Sequence, residues 1–126
     1  YINKNIISKL QQLGANAIGL TGADANLIRA HKRIHATIDY GFAGDIDQVQ
    51  SDILHQLLQQ NISVVVAPIT HDGQGQLLNT NADTIASTLA VAMAKHYQTF
   101  LVYCFEKKGV LSDPNDDDSV ISQIKI

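Results

Sequence analysis

The sequence has no tryptophan, one cysteine, one methionine and two prolines. The lone Cys104 excludes a disulfide framework or a cysteine zinc site within one chain. A chain without disulfides fits a reducing compartment, so a cytoplasmic location is expected. Clustered basic charge is also lacking. Nine Lys and Arg against twelve Asp and Glu give a net charge of −3, which argues against a nucleic-acid-binding surface. Long apolar runs are missing too. Ile62–Ile69 and Phe100–Phe105 are strand-length, well short of the roughly 20 residues of a membrane-spanning helix. Residues 1–14 have no continuous apolar core, so they read as an amphipathic helix rather than a secretory leader.

What is present is globular: 45% hydrophobic and 17% charged residues in a chain of 126, the size of a single domain over residues 1–126. Ile6, Ile7, Leu10 and Leu13 mark one face of a helix over residues 3–13, with Gly14 placed to end it in the left-handed conformation. Ala17–Leu20 reads as a strand entering a turn at Thr21-Gly22. Leu27–Ile34 and Thr37–Phe42 read as a hairpin, with Gly41 and Gly44 bracketing Phe42. Val49, Ile53, Leu54, Leu57 and Leu58 form the stripe of a helix over Asp47–Gln60, capped by Asp45 or Asp47. Ile62–Ile69 is a β-branched run of the kind buried in parallel sheets. Asp72-Gly73 signals a turn before the short return Leu77-Leu78. An Ala-rich helix spans Ala82–Lys95. Thr99–Glu106 reads as another buried strand, with Cys104 as a small core residue, and Ser119–Ile126 as a final strand. Strands alternating with helices predict an α/β fold with a largely parallel sheet covered on both faces.

In such folds ligands bind beyond the carboxyl ends of the strands. Asn79–Asp83 qualifies, since a helix start offers unpaired N–H groups and partial positive charge. On spacing alone, however, the plain reading is a capped helix and no more. Glu106–Leu111, just past a predicted strand, is the other candidate. The five histidines show no metal-ligand spacing: His31 and His35 lack the glutamate of the zinc-protease pattern. Asp113–Asp118 lacks the glycine and closing glutamate of a calcium loop. No metal site is expected.

Read in order, Asn3-Lys4, Leu20-Thr21-Gly22-Ala23-Asp24, Asp39–Asp45, Leu77–Thr84 and Gly109-Val110-Leu111 resemble the acetylglutamate kinases of the amino-acid kinase family. Asn79-Thr80-Asn81-Ala82-Asp83 matches their Asn-x-Asn-Ala-Asp signature. The resemblance implies a three-layer αβα sandwich around a mainly parallel sheet. It also implies transfer of the γ-phosphoryl group of ATP, as its Mg²⁺ complex, to the side-chain carboxylate of an N-acylated glutamate. By the same resemblance, Asn79 holds the amino-acid substrate and Asp83 organises catalytic lysines. Glu106, Lys107, Lys108, Gly109, Val110 and Leu111 contact the nucleotide, and Gly41–Gly44 forms a glycine hairpin near the site. Family members are usually homo-oligomers.

The sequence departs from the family at several points. Glu106 stands in place of the usual aspartate, and Ala25 replaces a common glycine. The chain matches only the middle to later part of the family's length. The Lys-x-Gly-Gly phosphate loop, the substrate-binding arginine and the catalytic lysines have no counterpart among its residues. Two alternatives therefore stand beside the kinase reading: a non-catalytic ATP-binding or interaction module, and an enzyme acting on N-succinylglutamate or another acylglutamate.

Overall fold

The computed structural model describes residues 1–124. Three α-helices and six strands follow in the order α1 (Ile2–Gln12), β1 (Ala17–Leu20), β2 (Ile28–Lys32), β3 (Gly44–Val49), α2 (Ser51–Gln59), β4 (Ser63–Val66), β5 (Ile69–His71), β6 (Leu77–Asn79) and α3 (Ala82–Met93). β1 and β4 pair in parallel, Ala17 opposite Ser63 through Leu20 opposite Val66. The remaining strands form a sheet of order β3-β2-β5-β6. In it β2 runs parallel to β5 and antiparallel to β3, and β5 and β6 form an antiparallel hairpin. The chain is thus an α/β protein with helices on both sides of the parallel pair β1–β4.

Alternation along β1 sets these layers. Ala17 and Gly19 are buried beneath α1. A Cβ on Gly19 would overlap the Asn3 side chain and meet Ile7 at 3.1 Å, so the missing side chain lets the helix approach. Asn3 also donates to the Val65 carbonyl at 2.9 Å and Lys4 to that of Gly19 at 2.7 Å. Leu20, Val64 and Val66 instead pack against the buried cluster Leu27, Ile28, Leu54, Ile85 and Met93. That cluster joins the core faces of α2 and α3 to both sheets.

Gly14 and Asn61 end α1 and α2 in the left-handed region, at φ +80° and +55°, as the position of Gly14 predicts. Ala25 also takes a positive φ of +51°. This conformation is costly for any residue with a Cβ, and it falls where the family resemblance places a glycine.

Several expectations are corrected. Thr37–Phe42 is not a strand; the partner of β2 is Gly44–Val49. A bulge interrupts this pairing. The register shifts between Arg29 and Ala30, whose partners are Gln48 and Ile46, leaving Asp47 as the extra residue. Ile46 and Val49 both reach the core, and Val49, four residues before Ile53, extends the apolar stripe of α2 back into β3 in the sequence. Accordingly α2 starts at Ser51 rather than Asp47. Asp45 and Asp47 do not cap it but pair across the hairpin with Arg33 and His31. The run Ile62–Ile69 is divided, with Ala67 and Pro68 separating β4 from β5.

Thr99–Glu106 forms no strand. Phe100, Val102 and Phe105 are 83%, 78% and 55% exposed, and Cys104 is exposed rather than core. β-propensity expresses itself only when a neighbouring strand accepts the backbone hydrogen bonds, and none pairs with this segment among the described residues. Of the predicted strand Ser119–Ile126, only an isolated bridge between Leu111 and Val120 is seen; residues 125–126 lie outside the described residues.

Candidate active site

The carboxyl end of β6 leads into α3 through Asn79-Thr80-Asn81. Asn81 is the N-cap, and its side chain accepts from the Thr84 N–H at 3.0 Å. Asp83 lies in the first turn, where its carboxylate complements the positive end of the helix dipole. Ile85, two residues on and on the opposite face of the helix, is 4% exposed and anchors α3 in the core. The helix therefore presents Asp83 outward from a fixed base.

Strand alternation splits the preceding residues. Leu77 and Asn79 are exposed, while Leu78 and Thr80 are buried. Thr80 is 4% exposed and Thr70, on β5, is fully buried; their hydroxyl oxygens lie 2.9 Å apart. The Thr80 hydroxyl also donates to the Gly44 carbonyl at 3.2 Å. Gly44 sits flat on this pair. A Cβ there would come within 2.8 Å of Leu78 Cβ and 2.9 Å of Thr80 Oγ1.

The glycine-flanked turn is tied to the same strand end. The Asn79 N–H donates to the Phe42 carbonyl at 2.8 Å, and Ala43 and Asn79 form a parallel bridge. Gly41 takes φ +61°, a left-handed turn that favours glycine. Ion pairs brace the loop behind it. The Arg33 guanidinium donates to Asp45 at 2.6 and 3.0 Å and holds that carboxyl below the usual range. The Gly41 N–H, with Lys32 beside it, lowers Asp39 in the same way. The structure thus brings Gly41–Gly44 to Asn79.

A cavity of about 470 Å³ opens beside the start of α3, between Ala82, Asp83 and Ala86 on one wall and Val102, Tyr103, Cys104 and Phe105 on the other. The Tyr103 hydroxyl donates to the Asp83 carbonyl at 3.3 Å. Glu106, Lys107, Lys108, Gly109, Val110 and Leu111 follow this wall without lining the cavity. They fold back on the acidic turn instead: Lys107 pairs with Asp117, Lys108 with Asp118, and Leu111 bridges Val120.

At the carboxyl end of β1, the Asp24 carboxylate accepts from the Thr21 N–H at 2.6 Å and from its hydroxyl at 2.8 Å. These bonds, led by the backbone one, lower its pKa, with a smaller contribution from Lys4. No group of three or more His, Cys, Asp or Glu side chains converges among the described residues.

Sequence reasoning missed Thr70, Thr80 and Tyr103. The two threonines carry a signal in hindsight. Thr70 occupies the inward register of β5 and Thr80 continues that of β6 one residue past its end, where a buried polar residue requires a partner.

The chain belongs to the amino acid kinase family, whose model matches residues 1–126. Among curated relatives, it is 59% identical over 123 residues to the acetylglutamate kinase of Parabacteroides distasonis, covering 98% of this chain and 48% of that protein. It is 60% identical over 124 residues to the acetylglutamate kinase of Cytophaga hutchinsonii, with coverage of 98% and 47%. The chain spans about half the length of the curated relatives it matches. In structure it is similar to smu.665 from Streptococcus mutans, at a TM-score of 0.61 and 27% identity, over 72% of this chain and 36% of that one.

Proposed function

We propose that the polypeptide carrying this chain is an acetylglutamate kinase. It would transfer the γ-phosphoryl group of MgATP to the side-chain carboxylate of N-acetyl-L-glutamate, a step of arginine biosynthesis. The observation that carries this reading is the Asn79–Asp83 segment. A family signature stands at a capped helix start, bonded to a glycine turn, in a chain about 60% identical to proteins of that name.

Each site residue has a proposed role. Asn79 binds the acylated amino acid. Its side-chain amide has no hydrogen-bond partner among the described residues, so its donors and acceptor are open to ligand. Asp83 orients catalytic lysines. Phosphoryl transfer between two anions needs positive charge held in line more than covalent help, and a carboxylate that fixes ammonium groups supplies that alignment. Glu106 and Lys107–Leu111 contact the nucleotide. Residues 1–126 would belong to one domain, in a cytoplasmic homo-oligomer. The same reading holds with N-succinylglutamate as acceptor, since nothing in the described site selects the acyl group.

One observation favours a second reading, nucleotide binding without turnover. Lys4 bonds the Gly19 carbonyl, and Lys32, Lys107 and Lys108 pair with Asp39, Asp117 and Asp118, so none of these reaches Asp83. Asp83→Ala separates the two. Under the kinase reading it lowers turnover in the intact polypeptide while nucleotide binding by calorimetry persists. Unchanged turnover removes the role assigned to Asp83, and binding with no turnover in the unaltered protein favours the second reading.

A further inference from the structure

We propose that the buried hydroxyl pair Thr70–Thr80 is a positioning device. It locks the Gly41–Gly44 turn against Asn79 and so sets the geometry of the acyl-amino-acid site. This rests on the assignment of Asn79 to that substrate.

Proton counting and the shorter distance favour one direction for the pair. Each hydroxyl has one proton to give. Thr80 donates to the Gly44 carbonyl at 3.2 Å, so across the 2.9 Å contact it accepts from Thr70. The alternative acceptor for Thr70, the Leu78 carbonyl, lies at 3.5 Å, too long to compete. The result is a one-way relay, Thr70 to Thr80 to Gly44. It crosses from β5 through the end of β6 into the start of β3. Thr80 also anchors its own backbone, donating its N–H to the Pro68 carbonyl at 3.1 Å.

Thr80 lies between Asn79 and Asn81, and Gly44 lies two residues from Phe42, whose carbonyl takes the Asn79 N–H. The relay and that backbone bond therefore clamp the same two segments. Gly44 has no side chain to set its own position, and a Cβ would come within 3.1 Å of the Thr70 hydroxyl as well. With the relay cut, one of these buried polar groups loses its partner. Relief comes most easily by shifting the exposed turn, which moves relative to Asn79. Small displacements of a positioning group are costly in rate.

The test compares Thr80→Val, Thr70→Val and Thr80→Ser in the intact polypeptide by two measurements. Amide exchange at Asn79 reads the clamp directly and needs no catalysis. Thr80→Val should speed it, Thr70→Val should speed it less, and Thr80→Ser should restore it. Steady-state kinetics read the consequence. Thr80→Val should raise the KM for N-acetylglutamate about tenfold while the KM for MgATP stays within about twofold. A merely structural threonine would lower thermal stability without that split between substrates. Unchanged exchange at Asn79 in Thr80→Val overturns the clamp. Faster exchange with an unchanged KM for N-acetylglutamate overturns the link to the substrate site. No turnover by the unaltered protein overturns the kinase reading instead, and the exchange rates then still decide whether the clamp exists.

Discussion

The backbone N–H of Asn79 donates to the carbonyl oxygen of Phe42 at 2.8 Å. Two segments far apart in sequence, a signature strand end and a glycine-flanked turn, are thereby fixed by a main-chain bond that no substitution at Asn79 other than proline removes. Backbone and side chain of Asn79 thus have separate tasks. The first assembles the site, and the second is left free at its surface.

That separation predicts the behaviour of Asn79→Ala. The β6 ladder and the bond to Phe42 persist, so stability should change by less than about 0.5 kcal/mol, as for ordinary surface substitutions. The KM for the acylated amino acid should rise about tenfold, the usual scale of one lost polar contact. Urea denaturation and initial-rate kinetics on the same preparation check both halves.

Asn81→Ala should show the opposite balance. Its side chain caps α3 through the Thr84 N–H, and loss of such a cap costs about 0.5–2 kcal/mol. Denaturation midpoints should fall accordingly. Asn81→Ser or Asn81→Asp should recover most of the difference, because each retains a capping oxygen.

Gly44→Ala should be destabilising for lack of space. The new methyl would meet Leu78 Cβ at 2.8 Å and Thr80 Oγ1 at 2.9 Å, and overpacking of this kind costs about 1–3 kcal/mol. Gly75→Ala is a useful contrast. It has open space around it but a φ of +101°, so any loss there reports backbone strain alone. Thermal melts of the two variants separate the causes.

The pH dependence of Asp24 has a definite sign. Its folded pKa lies below the ordinary value of 3.8 because the charged carboxylate accepts the Thr21 N–H and hydroxyl. The stability it contributes is therefore fully present above that ordinary value. It is lost as pH falls through the lowered folded value. Asp24→Asn should be less stable than the unaltered protein at pH 7, and the difference should vanish in strong acid. Chemical denaturation at several pH values tests this.

Much of the architecture is legible in the sequence, and the failures have physical causes. The capped, Ala-rich α3 is legible because an asparagine ahead of it and Asp83 in its first turn agree on cap and dipole. The parallel partner of β1 was readable from the β-branched run after Asn61. The β2–β3 hairpin is misplaced because Val49, the last residue of β3, lies four residues before Ile53 and so continues the apolar stripe of α2 in the sequence. Thr99–Glu106 was misread because a strand is defined by its neighbour, and a sequence of Phe, Leu, Val and Tyr does not say whether one is present. The site divides along the same line. Asn79 and Asp83 share one contiguous motif and Gly41–Gly44 lies in another, hence each is visible in the sequence. The threonine pair exists only once β5 and β6 fold together.

The most direct test of the account is acyl-phosphate formation by the intact polypeptide. With MgATP and N-acetyl-L-glutamate, trapping by hydroxylamine should yield the γ-hydroxamate with matching release of ADP. Asp83→Ala should suppress both. Nucleotide binding without any hydroxamate above the enzyme-free background would contradict the kinase assignment.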